Sequence, residues 1–546
     1  MIGYQAVAKI LAAEGVEFIS AFPHQSLIDA CAEIGVRPVI CRQERVGVNI
    51  ADGFARITNG RRLAAFTMQA GPGAENAFPG VAQAFADSVP YLHLAGGGDL
   101  LGNGVPPRFN AVATHRPITK WAAPFMSADG IAGVMRHAVG QLRHGRLGPV
   151  LLEMDGDVMA SEVGADVDYQ PVPRHRSAAS AEDVRDLVRA LLAVDNPVIY
   201  AGQGVLYAEA AAALVAFAEL AQVPVLTTLA GKSAFPETHA LALGTGGNSK
   251  PLTASRFLEE TDFVLAIGSS LTRNPFTTPI PAGTTVAQVT NCGEDIGKDY
   301  PVVAGAVGDA QLVLEQLAEE YARQDGPKQR GDGNDAPGRV AAVRSEYDQR
   351  WAKHHVSDET PISPYRVFHD VAAVFDPAKS IVTHDSGYPR DQLVPFWKAP
   401  VPRGYIGWGK STQLGYSLGL AMGAKLAAPE RHVINFMGDA AFGMTGLDVE
   451  TAVRAEVPIV TVVLNNGHLT GYDKLLPIAS QKYAANQMQG RYADVAAALG
   501  AHAERVETPD GLIPALERAK VATAEGRPAV VEAMTKVETE VPEKSV

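Results

Sequence analysis

Short apolar runs that alternate with helical stretches constrain the fold of this chain more than any other feature of its sequence. The runs are rich in Val, Ile and Leu, as in strands that are buried on both faces of a parallel sheet. Helical patterns such as those at 181–194 and 309–322 separate them. The predicted strands lie within residues 62–68, 90–96, 149–154, 197–202, 222–230, 262–268, 284–291, 432–439 and 458–466. This alternation predicts an α/β fold with parallel sheets.

Two polar segments that contain proline, at 166–180 and 323–339, divide this pattern into three stretches of similar length. A chain of 546 residues is too long for one hydrophobic core, and about three domains is the natural expectation for that length. We therefore predict three α/β domains with parallel sheets. The predicted domains span residues 1–165, 180–322 and 360–546, and the predicted linker spans residues 323–359.

The composition argues against several classes of protein. A formal net charge of −13 disfavours nucleic acid or an anionic membrane as the main partner. No stretch approaches the roughly 18 apolar residues of a membrane span, and the N-terminus reads as an amphipathic helix rather than a signal peptide. Three widely spaced cysteines, Cys31, Cys41 and Cys292, suggest neither a disulfide framework nor a metal cluster. We expect a cytoplasmic protein that acts on a small molecule.

The stretch NFMGDAAFGM (435–444) contains a carboxylate at the end of a predicted strand. Asp439 ends this strand, and Asn466 ends the next strand along the chain. If the two strands are parallel neighbours, both side chains emerge at the carboxyl edge of one sheet, where α/β folds bind ligands. Carboxylate, amide and carbonyl oxygens are ligands that Mg²⁺ prefers, and small Ala440 and Ala441 would let a diphosphate approach the backbone. We predict a metal site of Asp439, Asn466 and His468.

Each half of this pattern also has a purely structural explanation. An Asp after a strand is a common helix N-cap, and an Asn-Asn pair is common in loops. The strand context, the spacing and the helix that follows together favour the metal site.

Three segments in order resemble thiamine-diphosphate enzymes of the acetolactate synthase-like superfamily. GDAAFGM…LNNGH resembles the diphosphate and metal signature, and GWGKSTQLGYSLGLAMGAKLA (407–427) resembles the segment that precedes it. CRQERVGVNIADGFAR (41–56), followed by MQAGPGAEN (68–76), resembles the pyrimidine-binding signature. The resemblance covers nearly the whole chain. It implies the thiamine-diphosphate-binding fold, with pyrimidine (PYR), middle and diphosphate (PP) domains in that order, and it implies thiamine diphosphate and Mg²⁺ as cofactors.

The resemblance also implies roles for individual residues. Glu44 matches the glutamate that shares a proton with N1′ of the cofactor's aminopyrimidine ring, and a buried carboxyl would have the raised pKa that this role needs. The alternative for Glu44 is a surface ion pair with Arg42 or Arg45. The predicted cofactor-binding residues are Pro23, Gly73, Asn76, Thr412 (through its carbonyl), Leu414 (as the wedge under the bent cofactor), Gly438, Ala440, Ala441 and Asn466.

Substrate contacts are predicted for two histidines. His24 follows Pro23 where acetolactate synthases usually carry glycine, and His115 matches a loop that contacts substrate in the superfamily. His384 and Arg390 open the third domain and could face the same cleft. For each of these residues a structural role is an equal alternative.

Two departures from the family pattern limit what the resemblance implies. Ala440 replaces the glycine of the diphosphate signature, as it does in some acyl-CoA lyases and decarboxylases, and alanine is acceptable there if its φ is negative. The middle domain, in AIGSSLTRNPFTTPIP (266–281), lacks the arginine-aspartate run expected for flavin, so FAD is not expected.

We therefore predict a thiamine-diphosphate-dependent lyase or carboligase, with decarboxylase or transferase chemistry on a 2-keto acid or related carbonyl. The resemblance implies a homodimer with shared active sites that assembles into a tetramer. The close alternative is a 2-hydroxyacyl-CoA lyase or oxalyl-CoA decarboxylase. A nicotinamide oxidoreductase is disfavoured because no strand is followed by G-x-G-x-x-G. A cofactor-binding protein without activity is disfavoured by the presence of Glu44.

Overall fold

The computed structural model describes residues 1–102, 105–330 and 335–544. These residues form three six-stranded sheets, and the strand pairings in each of them are parallel. The predicted α/β class is therefore confirmed, and each of the predicted strands corresponds to a strand of the structure. In the described part of the chain, no helix has both the length and the apolar character needed to cross a membrane. Cys31, Cys41 and Cys292 are free thiols.

The first sheet and its helices occupy the N-terminal part of the chain. The strands are β1 (Phe18–Phe22), β2 (Arg37–Ile40), β3 (Ala65–Met68), β4 (Leu92–Gly96), β5 (Trp121–Pro124) and β6 (Val150–Met154). The helices are α1 (Gly3–Ala13), α2 (Gln25–Glu33), α3 (Glu44–Ile57), α4 (Pro72–Ala86), α5 (Ala111–His115), α6 (Ile131–Arg143) and α7 (Gly156–Ala160). The strand order is β2-β1-β3-β4-β6-β5, which puts the ends of β1 to β4 side by side.

The middle sheet has the order β12-β11-β10-β7-β8-β9. Its strands are β7 (Pro197–Ala201), β8 (Val225–Thr227), β9 (Ala242–Thr245), β10 (Phe263–Ile267), β11 (Thr285–Thr290) and β12 (Ala304–Val307). Its helices are α8 (Ala181–Leu192), α9 (Gln203–Tyr207), α10 (Ala211–Ala221), α11 (Leu252–Glu260) and α12 (Ala310–Arg323).

The third sheet has the order β14-β13-β15-β16-β18-β17. Its strands are β13 (Ser380–His384), β14 (Tyr405–Ile406), β15 (His432–Gly438), β16 (Val460–Asn465), β17 (His502–Val506) and β18 (Ala529–Met534). Its helices are α15 (Pro364–Val374), α16 (Tyr388–Leu393), α17 (Ser417–Ala427), α18 (Asp439–Thr445), α19 (Val449–Arg454), α20 (Tyr472–Leu475), α21 (Pro477–Tyr483), α22 (Tyr492–Ala498) and α23 (Leu512–Ala524).

The segment predicted as a linker, residues 323–359, contains more structure than its polar composition suggests. It includes α13 (Gly326–Arg330) and the long helix α14 (Ala336–His355), whereas residues 331–334 lie outside the described part of the chain. Tyr347 and Trp351 of α14 are buried, and the Trp351 ring lies 5.0 Å from the ring of Tyr365. Two aromatic side chains therefore anchor this helix to the third domain, and the predicted linker bounds of 323–359 stay a prediction.

The first and third domains meet where α3 crosses α17, and glycines allow their backbones to touch. A Cβ atom placed on Gly423 would overlap the carbonyl oxygen of Ile50 and lie 2.7 Å from the amide nitrogen of Phe54. A Cβ on Gly53 would overlap the carbonyl of Leu420 in the same way. The crossing therefore fixes the distance between the two domains that carry the predicted cofactor residues.

We expect Gly423→Ala to destabilise the protein by about 1–3 kcal/mol, because the added methyl overpacks the crossing. Gly133→Ala in α6 is the matched control, since a Cβ atom there meets nothing within 4 Å. It should stabilise the helix by about 0.4–1 kcal/mol. Denaturant unfolding of both variants measures the difference, and equal effects at the two positions would contradict a close contact between α3 and α17.

Candidate active site

The carboxyl edge of the third sheet brings Asp439 and the Asn466 region together. β15 and β16 are parallel neighbours, with Gly438 beside Leu464 in their register. The backbone N–H of Gly467 donates to Oδ2 of Asp439 at 2.8 Å. The two strands are thus the parallel neighbours that the hypothesis of a shared edge requires.

Asp439 is the first residue of α18, and the N-cap position is held by Gly438. Its side chain is buried, and Oδ1 accepts from the Ala440 N–H at 2.7 Å. Burial raises the pKa of the Asp439 carboxyl, and the two backbone N–H donors oppose this rise. Ala440 lies within the helix and is not among the non-glycine residues with positive φ, so alanine is unstrained there.

Asn466 and His468 are held by short local hydrogen bonds. Oδ1 of Asn466 accepts from the His468 N–H at 2.9 Å, and its Nδ2 donates to Thr470 Oγ1 at 2.8 Å. Nδ1 of His468 lies 2.8 Å from the carbonyl oxygen of Asn466. Within the described residues, no group of three or more His, Cys, Asp or Glu side chains could hold a metal ion. The protein oxygens here are hard donors, the kind that Mg²⁺ prefers, and Mg²⁺ usually keeps phosphate and water ligands as well.

Glu44 lies at the carboxyl edge of the first sheet, as the first residue of α3 after β2. The residue is only 3% exposed, and burial raises the pKa of its carboxyl. A hydrogen bond with the Asn76 side chain opposes that rise. The surface ion pair considered as an alternative does not form, because Arg42 pairs with Glu450 at 3.1 Å and Arg45 donates to Gln43 at 2.6 Å.

Other predicted residues lie at the same edge of the first sheet. Pro23 and His24 follow β1, and Gly73 and Asn76 lie in the first turns of α4, after β3. Since β2, β1 and β3 are adjacent, the residues that follow them share one edge with Glu44.

The two histidines predicted to contact substrate have different surroundings. His24 is buried beside the Tyr4 ring at 5.4 Å, and its Nδ1 has no hydrogen-bond partner in the described part of the chain. His115 is fully buried, with its ring 5.3 Å from Phe78 and 5.7 Å from His93. Nε2 of His115 also has no hydrogen-bond partner among the described residues, so the position directly after β1 is what distinguishes His24.

The candidates that open the third domain, His384 and Arg390, are enclosed by aromatic side chains. The His384 ring is stacked 5.6 Å from Tyr405 and its residue is fully buried. The Arg390 guanidinium lies 4.5 Å from the Trp408 ring and pairs with Asp391. These contacts give both residues a packing role in the chain.

The loop between β14 and α17 carries the remaining predicted cofactor residues. Thr412 is exposed, and Leu414 is half-buried against the core shared by the first and third domains. The side-chain amide of Gln413, between them, is enclosed and without a hydrogen-bond partner among the described residues. Sequence reasoning missed Gln413, and it missed the buried carboxylates Asp87 and Asp385 that hold this loop. Asp385 directly follows β13. A search for polar residues at strand ends would have identified it if β13 had been among the predicted strands.

A cavity of about 250 Å³ lies at the carboxyl ends of β7 and β10 in the middle domain. Ser269 and Thr278 of segment 266–281 line it, together with Arg146 of the first domain, Arg174 of the segment between the first two domains and Lys410 of the third domain. The expectation that FAD is not bound therefore stays a prediction.

Within one chain, hydrogen bonds join the segment just before Glu44 to the segment that follows Asp439. The N–H of Arg42 donates to Asp448 at 2.8 Å, and the side chain of Gln43 donates to the Met444 carbonyl at 3.2 Å. No hydrogen bond or ion pair of the described residues joins the Glu44 carboxyl to Asp439.

Comparison with known families matches each domain separately. Residues 1–112 match the N-terminal TPP binding domain of thiamine pyrophosphate enzymes, residues 184–317 match their central domain, and residues 385–533 match their C-terminal TPP binding domain. The matches have the same order as the three sheets.

Similar curated proteins cover nearly the full chain. A probable acetolactate synthase large subunit of Methanocaldococcus jannaschii is 27% identical over 95% of this chain and 90% of its own length. A glyoxylate carboligase of Escherichia coli O157:H7 is 29% identical over 91% and 86%. A probable acetolactate synthase of Mycobacterium bovis is 29% identical over 99% and 96%.

We expect the His24 imidazole to stay neutral across the physiological pH range. Burial lowers its pKa to about 4 from an ordinary value of 6.5. Because the folded pKa is depressed, the contribution of His24 to stability is present above pH 6.5 and is lost as the pH falls towards 4. Nuclear magnetic resonance of ring-labelled histidine, assigned with His24→Gln, measures the titration. A midpoint near the ordinary value would contradict the enclosed position.

Proposed function

The chain belongs to the thiamine pyrophosphate enzyme family, and we propose that it is a lyase or carboligase that breaks or forms a C–C bond beside the carbonyl of a 2-keto acid. The observation that carries this proposal is the buried Glu44 carboxyl, with its raised pKa, at the carboxyl edge of the first sheet. The names of the relatives, acetolactate synthase and glyoxylate carboligase, support a 2-keto acid as donor.

Thiamine diphosphate, when bound, supplies the carbanion-stabilising chemistry that amino-acid side chains lack. The role of this chain is to orient it and to move protons. Glu44 would exchange a proton with the pyrimidine ring, because a carboxyl with a raised pKa can hold that proton closer to neutral pH. The Thr412 carbonyl and the Leu414 side chain would orient the pyrimidine and thiazolium rings.

Asp439, Asn466 and His468 would hold Mg²⁺ together with the diphosphate. The chemistry of the protein atoms supports this assignment, since each oxygen is a hard donor and the Asp439 carboxylate supplies a negative charge. Gly438, Ala440 and Ala441 add little bulk beside it. No charged side chain of the described residues forms an ion pair with Asp439, which leaves its charge for a cation.

His24 would contact the substrate. Its imidazole is neutral at physiological pH and its Nδ1 is unpaired, so it could donate to or accept from a carbonyl or carboxylate group. The proposal does not rely on His115, whose ring is packed among aromatic side chains.

We further propose that each active site forms between two chains, in a dimer of this protein. Glu44 makes no hydrogen bond to Asp439 in its own chain, so a partner could bring the two halves together. Apolar side chains on α20 and α21, just after the proposed metal residues, support this proposal. Leu475 is 72% exposed, Ile478 69% and Tyr483 80%, as expected for a surface that a partner covers.

An acyl-CoA lyase or decarboxylase is the second candidate, favoured by Ala440 in the diphosphate signature. The protein with Mg²⁺ and thiamine diphosphate should therefore be incubated with 2-keto acids of two to five carbons and, separately, with 2-hydroxyacyl-CoA and oxalyl-CoA. Consumption of the keto acids supports our proposal, and turnover of only the thioesters supports the alternative. Turnover in neither arm contradicts both.

In the same assay, Asp439→Ala should abolish turnover and weaken thiamine diphosphate binding at least about 100-fold, since it removes the one anionic protein ligand of the metal. Asn466→Ala should weaken binding less, because a neutral amide is lost. Calorimetric titration of apo-protein measures both. Asp448→Ala is the matched control, a buried aspartate of the same domain that accepts from Arg42 and Thr451 instead. Equal cofactor affinity in Asp439→Ala and wild type would reject the metal site.

Mixed dimers test the shared site. Glu44→Gln and Asp439→Ala homodimers should both be nearly inactive. A mixed dimer has one site with both defects and one site with neither, so co-expression in equal amounts should restore about a quarter of wild-type turnover. If purified mixed dimers stay at the background rate, the residues belong to one chain's site or to none.

A further inference from the structure

In the described part of the chain, the N–H groups of the loop from Gly409 to Ser417, which we call the cofactor loop, donate to side chains rather than to backbone carbonyls. Five of its N–H groups have acceptors, and all five acceptors are side-chain oxygens of buried residues. This loop contains the Thr412 and Leu414 that the proposed function assigns to the cofactor. Its conformation therefore depends on a few carboxylates and one amide.

Asp87 holds the first end of the cofactor loop. Its Oδ1 accepts from the N–H of Gly409 at 3.1 Å and of Lys410 at 3.0 Å, and its Oδ2 lies 2.9 Å from the same Gly409 nitrogen. Asp87 is 2% exposed and follows α4 in the first domain. A residue of the first domain thus fixes a loop of the third.

Asp385 holds the other end from within the third domain. Oδ1 accepts from the Gly415 N–H at 2.9 Å, and Oδ2 accepts from the Ser417 N–H at 3.0 Å and its hydroxyl at 2.7 Å. The residue is fully buried. Between the two carboxylates, Gln83 of α4 accepts from the Gln413 N–H at 3.3 Å and donates to Asp87 at 3.3 Å.

Arg56 fixes Asp87 in turn. Its Nη2 donates to Asp87 Oδ2 at 3.0 Å, its Nε donates to Asp52 at 2.6 Å, and its Nη1 donates to the Gly407 carbonyl at 2.8 Å. Arg56 is 1% exposed, so its guanidinium is desolvated and its charge is stabilised by these partners instead of by water. It lies near the end of α3, the helix that begins at Glu44.

We propose that Asp87 and Arg56 are positioning residues that set the cofactor loop before thiamine diphosphate binds, an inference that rests on the proposed function. Asp87 orients the backbone two residues before Thr412, and Asp385 orients the backbone directly after Leu414. Docking of the first domain thereby preorganises the cofactor half-site of the third domain in the same chain. One helix, α3, carries both the proton-exchanging Glu44 and the arginine that supports this loop.

The test uses Asp87→Asn in the full-length protein. Asparagine keeps one acceptor oxygen but loses the charge and the second oxygen, so the loop should open at its first end. Amide hydrogen exchange of the apo-protein should become at least ten-fold faster at Gly409 and Lys410, and stay unchanged at Gly415 and Ser417. The dissociation constant for thiamine diphosphate should rise about ten-fold, whereas kcat at saturating cofactor should change less than two-fold.

Two further variants make the result specific. Asp448→Asn is the matched control, a 1%-exposed aspartate that also joins the first and third domains, through the Arg42 N–H, without touching the cofactor loop. It should leave loop exchange and cofactor affinity unchanged. Gln83→Met, an uncharged change, serves if Asp87→Asn does not fold, and should speed exchange at Gln413 alone and raise the dissociation constant two- to five-fold.

Unchanged exchange at Gly409 and Lys410 in folded Asp87→Asn would overturn the proposal, as would equal losses of cofactor affinity in Asp87→Asn and Asp448→Asn. For Gln83→Met, unchanged exchange at Gln413 would do the same. Exchange in the apo-protein needs no ligand, so it tests the loop even if the proposed function is wrong. In that case wild type itself would fail to bind thiamine diphosphate while the exchange pattern would still hold.

Discussion

A buried guanidinium between two carboxylates is the interaction on which the arrangement of the three domains depends. Burial alone would lower the pKa of Arg56, but the carboxylates of Asp52 and Asp87 raise this pKa by more than burial lowers it. The guanidinium therefore stays charged. Removing one partner of such a buried pair costs about 3–5 kcal/mol, because the remaining charge stays unpaired. Gln203 of the middle domain donates to the Asp87 carbonyl, and Gly407 of the third domain accepts from Arg56. The same cluster thus joins all three domains, next to the glycine-rich crossing of α3 and α17.

Much of the fold could be predicted from the sequence because buried parallel strands have a strong local pattern. Some strands that the prediction did not include are nevertheless buried almost throughout, such as β13 and β18, whereas others lack that signal. β14 has two residues, and four of the five residues of β17 are only partly buried. The helix α14 was not predicted because its segment is mostly polar. Val340, Tyr347 and Trp351 are among its few buried apolar residues. Tertiary packing, rather than local propensity, determines these elements.

Some residues of the candidate site could likewise be predicted from the sequence, and others could not. Asp439 and Asn466 could be related to each other because each directly follows a strand, and strand order follows from local pattern and the rules of α/β folds. Glu44 could be found only through resemblance, since an isolated glutamate has no distinctive local pattern. Asp87 could not be related to Gly409 at all, because they are distant in sequence and meet only when the first and third domains dock. Backbone donors that pair with distant side chains leave no trace in sequence spacing.

Our central claim is that Glu44 and the residues around Asp439 serve one molecule of thiamine diphosphate. Diffraction from crystals of this protein grown with Mg²⁺ and thiamine diphosphate tests it most directly. We expect the diphosphate and the metal beside Asp439 and Asn466, and the pyrimidine ring within hydrogen-bond distance of Glu44 from the second chain of a dimer. A cofactor bound elsewhere, or a pyrimidine ring that lies out of reach of every Glu44 in the assembly, would contradict the account.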